Sequence, residues 1–227
     1  MIVQNIDVII AVFNGEKYIE QAILSVQNQT YKHLNIIVAD DGSTDKTTEI
    51  VAQLCQKDQR IRLLKLEHRG VSATLNTSIQ SSSAPYISFL DADDLWHESK
   101  LEKQLKVLED KALQVCFCLV QEFESLNPLL KKTHQSRIEA LKGFSKSAIL
   151  ADRRVFDKFG LFDEKIEIGD FVEWYSRLVR AETPFYMIDE VLTFRRIHDN
   201  NTTKTSSKTL FLSILKSHLD ERRKKSE

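Results

Sequence analysis

The sequence predicts an α/β protein built as a single Rossmann-like domain, with a central, mostly parallel sheet flanked by helices. Three observations predict this. Short apolar runs rich in β-branched residues alternate with amphipathic segments of helical spacing through the first half. Their order, strand then helix four times over, is typical of parallel strands joined by right-handed crossovers. The chain of 227 residues is also long enough to bury a large core without disulfides or metals.

Four buried strands and four helices are predicted in the first half. The strands cover residues 6–13, 34–39, 61–66 and 86–90. Each is mainly apolar and too short for a helix, as expected of a parallel strand covered on both faces. The helices cover residues 18–26, 50–55, 71–81 and 101–108. Each has apolar residues recurring at the three- to four-residue spacing of one helix face.

The second half is less regular. The pattern predicts a strand at 115–123, a polar loop at 125–137, a short helix at 152–159 ended by Gly160, a helix at 171–179, and a strand pair or bend at 185–197. No Pro/Gly linker separates the halves near residue 113, so residues 1–113 and 114–200 should share one sheet and one core. Residues 201–227 form a separate tail.

Composition excludes several functional classes. The net charge is −1, from 32 basic and 33 acidic residues, so there is no basic field to hold nucleic acid non-specifically. Three cysteines do not make a disulfide scaffold, and no run of about 18 apolar residues predicts a transmembrane helix. The first residues lack the basic flank and cleavage site of a signal peptide, so the predicted location is cytoplasmic.

Acidic side chains follow the predicted strands. The segments after the four strands are Asn14-Gly15, Asp40-Asp41-Gly42-Ser43, Glu67-His68-Arg69-Gly70 and Asp91-Ala92-Asp93-Asp94. Ligands bind beyond the carboxyl ends of parallel strands, and carboxylates crowded there repel unless a cation neutralises them. No glycine-rich phosphate loop is present. The pattern favours a divalent cation with oxygen ligands that in turn holds a diphosphate.

A structural explanation of these residues stays open. Asp-Gly after a strand is common turn chemistry, and an aspartate before a helix is a common cap, which could explain Asp45 or Asp94.

Seven segments, taken in order and spacing, resemble the family 2 glycosyltransferases of the GT-A fold. The segments are residues 8–14, 25–30, 38–45, 89–96, 159–164, 169–174 and 195–198. Together they extend over roughly residues 6 to 200 of the chain. The resemblance implies an inverting transferase with a donor-binding first half, 1–113, and an acceptor-binding second half, 114–200.

The resemblance implies roles for residues of the donor site. Ala11, Phe13 and Asn14 match positions that line the nucleoside pocket, and Asp41 matches the carboxylate that accepts from the imide of a pyrimidine base. The expected donor is therefore a nucleoside-diphosphate sugar, with UDP-sugar favoured over a guanosine donor. Leu75 stands where the family usually has an arginine, so Arg69 is a candidate to supply the phosphate contact.

The resemblance also implies a Mn²⁺ or Mg²⁺ site. Asp93 matches the direct metal ligand, Asp91 the position near the ribose and metal, and His198 a histidine that faces the diphosphate or metal. Arg196 is expected to contact phosphate. A lone histidine in a polar run is also often merely exposed.

Asp170 matches the catalytic base, and Trp174, one helical turn later, is expected to wall the acceptor pocket. Gly169 precedes the base where an acid is frequent in the family. Alternatively, Asp170 could serve only to complement the helix dipole, and Trp174 could belong to the core. The acceptor itself is expected to be an unknown hydroxyl compound of polysaccharide or glycoconjugate biosynthesis.

Two other functions stay open at this point. One is a nucleotide-sugar binding module without turnover, which the substitution at Leu75 would favour. The other is a sugar nucleotidyltransferase, which would normally carry a Gly-rich, basic loop after the first strand, where this chain has Asn14-Gly-Glu-Lys17.

The tail is predicted to contain an amphipathic helix at 210–223 with basic residues at its end. Packing on the body or pairing with a second subunit through residues 205–225 is favoured, and peripheral contact with the inner face of a membrane is the alternative.

Overall fold

The computed structural model describes residues 4–124, 140–166 and 168–198. The first half contains β1 (Ile6–Val12), α1 (Ile19–Gln27), β2 (Leu34–Asp40), α2 (Thr47–Lys57), β3 (Ile61–Lys65), α3 (Val71–Ser81) and β4 (Tyr86–Phe89). After it come β5 (Leu95–Trp96), α4 (Lys100–Lys111), β6 (Val115–Glu124), β7 (Leu141–Lys142), a 3₁₀ turn (Lys146–Ala148), β8 (Leu150–Asp152), α5 (Arg154–Phe159), α6 (Asp170–Arg180) and β9 (Tyr186–Ile197).

Within these described ranges, nine strands form one sheet. Its order is β3-β2-β1-β4-β8-β6-β9-β5, with β7 paired to β6. The strands β3, β2, β1 and β4 are parallel to one another, as the alternating pattern predicts. Strand β8 is antiparallel to both β4 and β6, and β9 returns parallel to β6. The α/β class with a parallel first half is therefore confirmed, and strands of both halves belong to one sheet.

The core lies on both faces of this sheet. Along β1, Val8 and Ile10 face one apolar cluster, which also contains the inner faces of α1, α2 and α4. Ile9 faces the opposite cluster, built with α3, α5 and α6. Because β1 is covered on both faces, its sequence is continuously apolar rather than alternating. This central position fixes the carboxyl end of β1, where the cleft described below begins.

Two parts of the second half differ from the predicted elements. Residues 186–197 form one long strand, not a strand pair or bend. Its register against β6 shifts around Leu119, where the exposed Asp189 and Glu190 interrupt the apolar pattern. Strand β8, absent from the prediction, is three residues long and defined by its partners rather than by any pattern of its own. It joins the parallel strands to the rest of the sheet.

The predicted tail helix at 210–223 lies outside the described residues. Among the residues that are described, no helix has the length and apolar character needed to cross a bilayer.

A buried lysine provides a test of the core. Lys100 is fully buried, its Nζ lies 3.8 Å from the ring centroid of Trp96, and it donates to Ser88 Oγ at 3.2 Å. Burial lowers the pKa of Lys100 to about 8, against 10.5 for an ordinary lysine. The unfolded chain therefore binds more protons than the folded one between those values, and the destabilisation caused by the charged lysine fades as pH rises through that window.

We expect Lys100→Met to be more stable than wild type at pH 7, and this stability gap to narrow by about 1 kcal/mol from pH 8 to pH 9. Urea unfolding at both pH values measures the gap. The difference between the two proteins is measured, and not the stability of wild type alone, because other groups also titrate. Burial raises the pKa of Cys116 to about 12, which lowers the stability of wild type above pH 9. Lys106→Met, exposed on the same helix, is the control and should show a constant gap. If the stability gap between Lys100→Met and wild type were the same at both pH values, the lowered pKa of Lys100 would be wrong.

Candidate active site

A cleft of about 730 Å³ opens at the carboxyl ends of β1 and β4. One wall comes from residues 11–18 after β1 and from the acidic loop Asp91–Asp94 after β4. Further lining comes from β7, from residues 143–146 and from the start of α6. The sheet topology thus brings residues from distant parts of the sequence to one cavity. Of the predicted site residues, Ala11, Phe13, Asn14, Asp91, Asp93, Asp170 and His198 line it.

The acidic loop is fixed from two sides. The backbone N–H of Asp91 donates to Ser147 Oγ at 3.0 Å, in the 3₁₀ turn. Asp94 is buried and accepts from the backbone N–H of Arg196 at 3.0 Å, so its carboxylate ties the loop to β9. Asp91 and Asp93 are partly exposed to the cleft. The carboxylates of the motif are therefore divided between anchoring the loop and facing the cavity.

His198 and Asp93 meet at the end of β9. Nε2 of His198 lies 2.9 Å from Oδ2 of Asp93, although 105 residues separate them. The imidazole also stacks on Tyr18, with ring centroids 5.0 Å apart. A separation of about 3 Å is what two neighbouring ligands of an octahedral cation with bonds near 2.1 Å would show. The pair predicted from sequence as metal ligands is thus in contact.

Arg196 does not face the cleft, contrary to the expected phosphate contact. Its side chain is 1% exposed. Nε donates to the backbone carbonyl of Asp93 at 2.8 Å, and a terminal nitrogen donates to Gln21 Oε1 at 2.8 Å. The guanidinium also lies over the rings of Tyr18 and Phe123. Arg196 therefore holds the Asp93 loop in place. Its neighbour Arg195, on the opposite face of β9, and His198, just beyond the end of the strand, line the cleft.

The donor set fits a divalent cation. Burial raises the pKa of Asp91, an effect that Lys146 opposes and that Asp93 and Asp170 add to. Burial and the neighbouring carboxylates of Asp91 and Asp93 raise the pKa of Asp94 well above its usual value. The loop thus holds more negative charge than its surroundings neutralise. In the described part of the chain no three His, Cys, Asp or Glu side chains form a complete cage. Magnesium and similar ions are commonly held by one or two carboxylates together with substrate phosphates.

Asp170 is the first residue of α6. Gly169 before it has a φ of 93°, a left-handed conformation that suits glycine and turns the chain into the helix. This conformation explains why a glycine stands at position 169, where the family often has an acidic residue. Asp170 is buried and its carboxylate makes no cap hydrogen bond within the helix. Instead, Lys146 Nζ lies 3.1 Å from Oδ2 and 3.4 Å from Oδ1.

Asp41 is largely enclosed by its own loop. Oδ1 accepts from the backbone N–H of Arg69 at 2.9 Å and from Thr74 Oγ1 at 2.8 Å, and Oδ2 accepts from the backbone N–H of Gly70 at 3.0 Å. Nδ1 of His68 is 2.9 Å from Oδ2, and the imidazole stacks on Phe13 with ring centroids 4.2 Å apart. His68 thus lies between Asp41 and the open cavity.

Two other predicted donor residues connect loops. Asn14, at a φ of 51°, accepts from the backbone N–H of Thr44 at 2.8 Å and so joins the segments after β1 and β2. The guanidinium of Arg69 pairs with Glu164 Oε2 at 3.1 Å, which connects the two halves across the surface. Arg69 does not line the cleft.

Trp174 belongs to the core and does not wall the cleft, so its expected acceptor contact is corrected. Its side chain is fully buried, stacks on Phe156 at 4.8 Å, and donates from Nε1 to the carbonyl of Gly160 at 3.0 Å. Residue 174 falls on the inner, sheet-facing stripe of α6. Phe144 and Phe171 are the aromatic side chains that the second half contributes to the lining of the cleft.

Sequence reasoning missed Lys146. It precedes the buried run at 147–151, and a lysine at the edge of a predicted loop is ordinarily taken as exposed. The one hint in the sequence is that Lys146 directly precedes this apolar segment.

Solved structures share this fold. S. aureus TarS in complex with UDP superposes with a TM-score of 0.69 at 18% identity, covering 85% of this chain and 60% of that one. The mannosyltransferase PcManGT from Pyrobaculum calidifontis, in complex with GDP-Man and Mn²⁺, gives 0.70 at 17% identity, covering 86% and 58%. The predicted GT-A fold is thereby confirmed. The fold class of this chain is therefore GT-A.

The sequence comparison gives the family. The profile of Glycosyl transferase family 2 matches residues 7–167, and the chain belongs to this family. An uncharacterised glycosyltransferase of Rickettsia typhi is 32% identical over 215 residues, covering 88% of this chain and 66% of the relative. One of Rickettsia bellii is 42% identical over 207 residues, covering 87% and 29%. The chain thus spans less than two-thirds of these relatives. A putative teichuronic acid biosynthesis glycosyltransferase, TuaG of Bacillus subtilis, is 27% identical over 218 residues, covering 91% and 86%.

Proposed function

We propose that this chain is a metal-assisted, inverting glycosyltransferase that moves a sugar from a nucleoside-diphosphate sugar, with UDP-sugar favoured, to a hydroxyl acceptor. The observation that carries the proposal is the cleft itself. Its lining includes the Asp93–His198 pair, next to the loop that follows β4, and the buried carboxylate of Asp170 at the start of α6. A metal-binding pair and a separate carboxylate are what the two halves of the reaction require.

The proposed step is a single displacement. Asp170 takes the proton from the acceptor hydroxyl, the acceptor oxygen forms a bond to the anomeric carbon, and the bond from that carbon to the diphosphate oxygen breaks. The electron pair of the broken bond leaves with the diphosphate. Because the attack comes from the face opposite the leaving group, the anomeric configuration inverts. A bound Mn²⁺ or Mg²⁺ would supply charge stabilisation for the leaving diphosphate.

The residues of this chain divide the remaining work. Asp93 and His198, with Asp91 beside them, would hold the cation, and Arg196 fixes the loop that carries Asp93. Ala11, Phe13 and Asn14 line the proposed nucleoside side of the cleft. Phe144 and Phe171 would form the acceptor side, and so would have the role that was expected of Trp174.

The proposed pyrimidine site is filled by a side chain of the protein. A pyrimidine stacked on Phe13 and hydrogen-bonded to Asp41 would make the two contacts that the imidazole of His68 makes now. A base that binds there has to displace His68. The acceptor is proposed to be a growing glycan or glycoconjugate, as would suit a relative of TuaG, the putative teichuronic acid biosynthesis glycosyltransferase. The proposed location is cytoplasmic.

Thermal-shift measurements test the nucleotide specificity. UDP and UDP-sugars with Mn²⁺ should raise the melting temperature by about 5 °C or more at a hundredfold excess over Kd, and GDP should raise it less. EDTA should remove most of the shift. In His68→Ala the shift with UDP should be larger, because the base no longer competes with the imidazole. No shift with any nucleotide would contradict the proposal, and a smaller shift in His68→Ala would contradict the competition.

A binding module without turnover is the second candidate, since Leu75 replaces an arginine and is itself 3% exposed. Slow hydrolysis of the bound donor in Mn²⁺ separates the two, because a pure binding module would release no UDP.

A further inference from the structure

Lys146 is a largely buried cation whose position in the cleft is set by four parts of the fold. The carbonyl of the next residue, Ser147, accepts from Trp96 Nε1 at 2.7 Å and from Thr193 Oγ1 at 3.1 Å. Ser147 Oγ accepts from the backbone N–H of Asp91. The carbonyl of Ala148 accepts from Gln104 Nε2 at 2.9 Å. The 3₁₀ turn that carries Lys146 is therefore held from β5, β9, α4 and the acidic loop.

The ammonium of Lys146 pairs with the carboxylate of Asp170. It contacts both oxygens of Asp170, and its side chain is 14% exposed, against 7% for that of Asp170. Burial alone would lower the pKa of Lys146, but the carboxylates of Asp91 and Asp170 outweigh it and raise that pKa. Lys146 is therefore charged in this site.

A purely structural purpose explains this pair poorly. Removing a lysine and a carboxylate from water has a large cost, and apolar residues of similar size often replace such pairs without loss of stability. The pair also lies at the cavity, with both residues among those that line it. A single ammonium reaching both oxygens of one carboxylate fixes the plane of that carboxylate and leaves lone pairs for a further donor.

We propose that Lys146 is a positioning residue for the glycosyl transfer, which holds the carboxylate of Asp170 in the orientation that receives the acceptor proton. This inference rests on the proposed function. When Asp170 takes the proton it becomes neutral, and Lys146 neither gains nor loses a proton.

The kinetic test uses hydrolysis of the bound donor, with water as acceptor and UDP-GlcNAc and GDP-mannose as probes with Mn²⁺. Lys146→Met should lower kcat by about 10²-fold, as expected for a displaced base, while the KM for the donor changes by less than about threefold. Lys146→Arg should recover most of the rate. Lys106→Met, which removes an exposed lysine from α4, should leave both constants unchanged. A rise in KM alone, or no recovery in Lys146→Arg, would overturn the proposal.

A second measurement distinguishes positioning from general damage. In Asp170→Asn, the further change Lys146→Met should cause no additional loss of kcat, because the two residues act as one unit. An additional loss of similar size in the double variant would show that Lys146 acts independently of Asp170 and would sink the idea.

A stability cycle tests the ion pair without nucleotide or metal. Lys146→Met should lower the melting temperature of the EDTA-treated protein by several degrees, and by less than half as much in the Asp170→Asn background. Equal shifts in both backgrounds would refute the coupling. If wild type binds no nucleotide while this cycle shows coupling, the proposed function fails and the ion pair stands as an independent fact.

Discussion

Asp170→Asn should lose turnover by about 10² to 10⁴-fold while its affinity for UDP with Mn²⁺ stays close to that of wild type. Asparagine has nearly the same shape and keeps the start of α6, but it cannot take a proton from the acceptor. The carboxylate belongs to α6 and is held by Lys146, whereas the proposed cation pair belongs to the acidic loop and the end of β9, so we expect nucleotide binding to depend little on it. Rate measurements with calorimetry on the same preparation separate the two effects.

The matched control for this variant is Asp157→Asn, an exposed aspartate of α5 on another part of the surface. It should retain wild-type kcat and nucleotide affinity. Wild-type turnover in Asp170→Asn would remove Asp170 from the role of base, and a large loss of UDP affinity would place it in the donor site instead.

Asp93→Asn should lose Mn²⁺-dependent nucleotide binding, with an increase in Kd on the order of 10²-fold or more. Loss of an outer-shell partner alone commonly costs 10- to 100-fold in metal affinity, and Asp93 is the proposed direct ligand. The loop itself should keep its shape. Arg196 bonds to the backbone carbonyl of Asp93, and Asp94 rather than Asp93 accepts from the backbone of β9.

Metal removal gives this variant an internal control. Wild type in EDTA should bind UDP about as weakly as Asp93→Asn does in Mn²⁺, and adding Mn²⁺ should strengthen binding only in wild type. Calorimetric titrations in the four conditions measure this. Retained Mn²⁺-dependent binding in Asp93→Asn would refute the ligand assignment.

The strands and helices of the first half can be predicted directly from the pattern of apolar residues in the sequence. Strands β1 and β2 are almost wholly buried, so each is a mainly apolar run, and the amphipathic helices of this half repeat with a period of 3.6 residues. In the second half this information is weaker. A three-residue strand such as β8 has no periodicity, and its position depends entirely on the strands that it pairs with.

Residues in recognisable motifs were correctly predicted to line the cleft. The prediction failed for residues whose place depends on which way a side chain points. Asp91, Asp93, Asp170 and His198 were all named from sequence and all line the cleft. The sequence cannot say which side chains of a partly polar strand or helix turn inward. Arg196 and Trp174 both have functional neighbours along the chain, yet both are buried away from the cavity.

Lys146 and His68 show a different limit. Lys146 becomes a site residue only because the 3₁₀ turn, the acidic loop and α6 converge in space. The place of His68 over Asp41 depends on the conformation of the loop that follows β3. Both effects arise from contacts between segments that are distant in sequence, and neither has a local pattern.

The position of His198 at the far end of β9 has a consequence for how the protein is made. Translation proceeds from the N-terminus, and β1, β2 and β4 with Asp41 and Asp93 emerge from the ribosome long before residue 198 does. A nascent chain therefore carries only one member of the proposed cation pair until residue 198 has been made. Capture of metal by the growing polypeptide is disfavoured until β9 has been inserted beside β6.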